Sequence, residues 1–86
     1  MSGEIELTNP EVRILYILMK HDGKSSFDHM MTESGMCFGM FWNNANKLIE
    51  KGFMEKGETF KDFVITQKGR RKIERLMGGV LPHKML

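Results

Sequence analysis

Apolar residues recur at helical spacing over most of the chain and at strand spacing over one short stretch. Between Thr8 and Lys20, Val12, Leu15, Tyr16 and Met19 form one stripe, which Ile14, Ile17 and Leu18 widen to most of the circumference. This predicts a first helix. Thr8 or Asn9 can cap it, Pro10 stands where a missing N–H is harmless, Glu11 suits the helix dipole, and Gly23 is a natural stop. A helix apolar nearly all round must bury more than one face, so part of this surface is expected to pack on a second subunit. A second helix starts at Ser25 or Ser26, carries Phe27, Met30 and Met31 as its buried stripe, and ends near Ser34-Gly35. A third runs from about Cys37 to Lys51 (36–51 at its widest) and stops at Gly52. Its core side is Phe41, Ala45 and Leu48. Gly39, Met40, Trp42, Asn43, Asn46 and Lys47 project away from that side.

The period then changes. Phe53-Met54-Glu55-Lys56 reads as a strand, Gly57-Glu58-Thr59 as a turn, and Phe63-Val64-Ile65 as the return strand. Thr66 is placed to cap a fourth helix with Ile73, Leu76 and Met77 as its buried stripe. The expected fold class is mainly α with a small β-hairpin, in one domain spanning residues 1–86. Residues 1–7 form an N-terminal arm and 78–86 a loose apolar tail.

Charge refines this picture more than composition does. Residues 1–42 carry three Lys/Arg against six Asp/Glu, whereas residues 43–86 carry ten against five. A basic C-terminal half points to an anionic partner, against the plainer reading of a solvated surface. No run is long and apolar enough to cross a bilayer, and the acidic N-terminus lacks the order of a secretory signal. The single cysteine, Cys37, closes no internal disulfide, which fits a reducing compartment, most simply the cytoplasm.

Order and local motif together resemble a known family. The run Lys47-Leu48-Ile49-Glu50-Lys51-Gly52-Phe53-Met54, followed by Phe63-Val64-Ile65-Thr66-Gln67-Lys68-Gly69, is similar to the end of the recognition helix, the wing and the start of the next helix in winged helix-turn-helix regulators of bacteria and archaea. It looks like the multiple-antibiotic-resistance and PadR types and small archaeal chromatin-associated relatives. The resemblance spans about residues 10–77, and its specific part is 47–69. It implies a three-helix core, a two-stranded wing and a C-terminal helix. It also implies a DNA-binding transcriptional regulator, a homodimer whose third helix enters the major groove of double-stranded DNA while the wing touches the backbone. Carried onto this chain, the base readers are Trp42, Asn43, Asn46 and Lys47, and the phosphate contacts are Lys56 and Lys61.

Other readings stand beside this one. The third helix is rich in Met36, Phe38, Met40, Phe41 and Trp42, and large apolar groups read bases chiefly through thymine methyls. A winged-helix adaptor using Met40, Trp42 and Phe60 as a protein-binding patch is therefore the alternative. Trp42 is equally read as half-buried against the second helix or the arm. The basic cluster Lys68–Arg75 is read as a solvated helix face, because the fourth helix points away from DNA in this family. Cys37 is read as a half-buried inert thiol in preference to a redox sensor. His21, His29 and His83 show no metal-ligand spacing with Cys37 or one another. No phosphate-binding glycine loop, nucleophile motif or close carboxylate pair is present. The expectation is a binding module and not an enzyme, with no cofactor, no metal and no small-molecule substrate.

Overall fold

Three of the four helices described begin where a side chain serves the first free N–H groups or those just before them. A computed structural model describes residues 7–59 and 61–77, in the order α1 (Asn9–Lys20), β1 (Lys24–Ser26), α2 (Phe27–Ser34), α3 (Phe38–Glu50), β2 (Met54–Lys56), β3 (Asp62–Ile65) and α4 (Gln67–Leu76). Ser26 accepts from the His29 N–H at the start of α2, and Thr66 accepts from the Gly69 N–H at the start of α4. At α1, Glu11 reaches back to accept from the Thr8 N–H at 2.8 Å. The helix is three residues shorter than the widest expectation of 36–51 for α3. Met36 is buried ahead of it, Cys37 is the N-cap, and Lys51 is the C-cap.

The three strands form one antiparallel sheet in the order β1-β3-β2, with Lys24 opposite Val64 and Glu55 opposite Val64 on the other edge. The expected hairpin is thus present, and the sheet is larger than the sequence reading by one strand. Lys24-Ser25-Ser26 is polar and lacks alternation, so nothing local marks it as a strand. It pairs because the turn after α1 delivers it to the open edge of β3.

The core is built around α1. Ile14, Leu15, Ile17, Leu18 and Met19 are all buried within one chain, and α1 packs on α2, α3 and α4 as well as on β1 and β3. Val12 and Tyr16, on the same helix, are partly exposed. Phe41, Ala45 and Leu48 fill the core from α3, as their spacing predicts, and Phe53, Phe63 and Ile65 fill it from the side of the β2–β3 hairpin. Of the α2 stripe, Met30 is buried while Phe27 and Met31 are partly so.

Leu76 departs from its expected burial. It is 51% exposed, whereas Ile73 is fully buried. Periodicity tells which way a side chain points, not whether anything lies there, and Leu76 is the last residue of its helix. Met77 is partly buried against the core.

Two local constraints hold the helices at these positions. Gly52 has φ of +83°, the left-handed turn that ends α3 ahead of β2. Gly69 lies so close to the start of the β2–β3 hairpin that an added Cβ would collide with the Phe53 carbonyl oxygen. Any side chain there would push α4 off the sheet.

Glu11 is the one acidic residue of the described chain with no exposed surface, and its exposure is 0%. Lys51, at the end of α3, donates to its two oxygens at 3.0 and 2.9 Å. Burial alone would raise this carboxyl. The Thr8 N–H, the Lys51 ammonium and the Thr8 hydroxyl together outweigh burial and hold its pKa below the ordinary value. The start of α1 and the end of α3 are joined by this ion pair.

Candidate nucleic-acid interface

With Phe41, Ala45 and Leu48 turned inward, α3 presents Asn43, Asn46 and Lys47 to solvent at i, i+3, i+4 spacing on one face. All three are exposed, as the sequence reading places them. Asn44 is the buried asparagine of the helix, and its amide donates to the Met40 carbonyl at 2.8 Å.

Trp42 stands differently. It is half-buried, and its ring is stacked on Phe27 with centroids 5.3 Å apart and planes at 23°. Phe63 meets it edge-on at 5.8 Å. The Lys56 ammonium lies 5.3 Å from its ring centroid, within cation–π range. Trp42 thus joins α3, the start of α2 and the β2–β3 hairpin, and it fixes where Lys56 sits. This is the half-buried position against the second helix that sequence also allowed.

Lys56 ends β2 and is exposed. Lys61 is exposed at the far side of the wing turn, and its backbone ties that turn to α2, since its carbonyl accepts from the Phe27 N–H at 2.6 Å. The wing also carries Glu55, Glu58 and Asp62, so its own charge is mixed. Strand β1 adds Lys24 beside the hairpin, an exposed cation far from it in sequence. A cleft of about 320 Å³ runs between β1 and the wing, lined by Lys24, Ser25, Ser26, Gly57, Glu58, Asp62 and Val64. Its lining holds no histidine or cysteine.

The basic cluster of α4 is partly engaged inside the molecule. Lys68 donates to the Lys51 carbonyl at the end of α3 at 2.9 Å, and its ammonium lies 5.1 Å from the Phe53 ring centroid. Arg70 donates to the Asp22 carbonyl just past α1 at 3.4 Å and contacts the Met19 sulfur at 3.8 Å. Arg13 does the same for α2, donating to the Ser34 carbonyl at 3.1 Å. Cations at helix C-termini satisfy free carbonyls and oppose the dipole.

The beginning of α3 is apolar and open. Phe38 is 61% exposed and Met40 is 43% exposed. Of the adaptor patch, Met40 is thus open and Trp42 half-buried, while Phe60 lies outside the described residues. Phe38 was not counted in that patch, although its place before a stripe-defining Phe41 was visible in the sequence. Cys37 is exposed, which corrects the half-buried position expected for it.

The histidines also differ from the sequence reading. His21, at the end of α1, meets His29 and Glu33 of α2. The i, i+4 pair His29–Glu33 was legible in the sequence. The third member arrives from another element. Among the described residues, no helix is long and apolar enough to cross a membrane. No protein-family model matches this chain, and no curated protein matches it either.

Proposed function

We propose that this chain is a winged helix-turn-helix transcriptional regulator that sets α3 into the major groove of duplex DNA and acts as a homodimer. The observation that carries the reading is the open polar face Asn43–Asn46–Lys47, held outward by the burial of Phe41, Ala45 and Leu48. Asparagine can bond adenine N6 and N7 together, and lysine can reach guanine O6 or N7. A helix–strand–helix–helix–hairpin–helix order supports the fold assignment, as does a hairpin fastened to α3 through Trp42 and Lys56. In this reading Trp42 positions the wing. Asn43, Asn46 and Lys47 read bases, and Lys56 and Lys61 hold phosphates. Among the described residues, the exposed Leu76 at the end of α4 is an apolar surface that two copies could share in this reading. Two copies would meet successive major grooves about 34 Å apart.

Fluorescence anisotropy with a pool of duplex DNA, followed by sequence selection from that pool, tests the reading. Binding that weakens steeply with salt is expected. Absence of binding to any duplex at low salt would sink it. The second reading, a protein-binding adaptor, is favoured by the exposed Phe38 and Met40 at the start of α3. It predicts that a Phe38→Ser, Met40→Ser double variant loses a protein partner, while the DNA reading predicts unchanged duplex affinity in that variant.

A further inference from the structure

The turn after α1 carries His21, and one face of α2 carries His29 and Glu33 a single turn apart. Their ligating atoms converge on one another. The His21 Nε2 lies 3.0 Å from Glu33 Oε1. The His29 Nε2 lies 3.0 Å from the same oxygen and 3.0 Å from the His21 Nε2. Three atoms with lone pairs thus form a triangle of equal edges. We propose that His21, His29 and Glu33 form a divalent-cation site, zinc by preference, which clamps the end of α1 to α2.

Hydrogen bonding alone does not account for the triangle. Three edges need three protons, each pointing along its own edge. Each Nε2 supplies at most one, and an ionised carboxylate supplies none. At least one edge then sets lone pair against lone pair or N–H against N–H. A cation on the axis of the triangle turns all three contacts into ligand bonds. With metal–nitrogen distances of about 2.0–2.1 Å it would stand roughly 1 Å off the plane of the three atoms. Adjacent ligands in such a tetrahedron are about 3.3 Å apart, and in an octahedron about 2.9 Å. The observed edges of 3.0 Å lie between these values, so the site closes with small side-chain shifts.

The ligand set matches the chemistry. Two imidazoles and one carboxylate suit zinc and its first-row neighbours better than magnesium or calcium, which prefer all-oxygen sites. Lys20 pairs with the other carboxylate oxygen, Oε2, and so orients Glu33 while leaving Oε1 for the ion. All three side chains are partly open to solvent, which leaves the remaining coordination positions to water. The site is separate from the polar face of α3 and does not depend on DNA binding.

Titration of untagged, metal-stripped protein with Zn²⁺ by calorimetry tests this. One equivalent is expected to bind, and thermal melting should move upward. His21→Gln, His29→Ala and Glu33→Gln are each expected to weaken binding by about tenfold or more, whereas Cys37→Ser leaves it unchanged. Circular dichroism checks that the variants fold. Co²⁺ provides a second measurement on the wild type, with visible bands expected and no thiolate charge-transfer band. A thiolate band assigns the ion to Cys37 and overturns the proposal. So does an absence of Zn²⁺ uptake, or undiminished affinity in folded His29→Ala and Glu33→Gln.

Discussion

The cations of α4 and those of α3 with the wing look alike in sequence, yet the fold puts them to different uses. Lys68 and Arg70 turn back onto carbonyls at the ends of α3 and α1, and Arg13 does so at the end of α2. Lys47 stands on the open face of α3, and Lys56 rests on Trp42 at the wing. The larger cluster is therefore partly structural, and the sparser one is the candidate for an anionic partner. A count of basic residues measures charge, while their hydrogen-bond partners decide what the charge is for.

The widest separation between structural and outward cations should appear at Lys51. Lys51→Met strands the Glu11 carboxylate inside the core, and loss of one partner of a buried pair costs about 3 kcal/mol. Urea unfolding should show this, with duplex affinity per folded molecule unchanged. Replacing both partners, in Glu11→Leu with Lys51→Met, should recover much of the loss, because no charge is then left buried. A loss equal to that of the single variant would mean that the pair is not the cause.

Next in size is the outward face of α3. Asn43→Ala with Asn46→Ala should reduce affinity for a selected duplex by about tenfold to a hundredfold, at about 1–3 kcal/mol per bidentate contact. Melting should shift little, since both residues are exposed. Unchanged affinity would remove α3 as the reader.

A direct exchange between the two groups of cations gives smaller effects. Arg70→Ala should destabilise by about 0.5–1 kcal/mol, through loss of its contacts past the end of α1, and should leave duplex binding alone. Lys47→Ala should do the reverse, with stability unchanged and the slope of log affinity against log salt reduced by about one. If Arg70→Ala changes the salt slope as much as Lys47→Ala, the division between the groups fails.

The smallest effect concerns two carboxylates. Glu33 is held down to about 2 by Lys20 and His21, and Glu11 is held below its ordinary value. Groups whose folded pKa is depressed contribute stability above their unfolded pKa, near 4.5, and lose it as pH falls through the folded value. Stability should therefore decline between about pH 4.5 and 2. Glu33→Gln should flatten part of that decline, as followed by thermal melting across the range.

Much of the fold was legible because its signals are local. Thr66 and Ser26 cap the helices that follow them, and Gly52 marks the end of α3. Each acts within a few residues of itself. The division of α3 into a buried Phe41–Ala45–Leu48 side and an open Asn43–Asn46–Lys47 side follows from helical period alone. The polar face of α3 in the candidate interface was accordingly readable in the sequence.

What remained depended on neighbours distant in sequence. Lys24-Ser25-Ser26 becomes a strand only because β3 offers it an edge from far along the chain, pairing Ser26 with Asp62 and Lys24 with Val64. Trp42 becomes a support for the wing because Phe27 and Phe63 arrive beside it from other elements. Likewise Glu11 finds Lys51, and His21 finds His29 and Glu33. Sequence by itself determined the helices, their caps and which sides they bury, since those rest on backbone sterics and period. Tertiary structure alone decided which polar groups meet, because an ion pair or a ligand set requires two surfaces to be docked before either partner can be recognised.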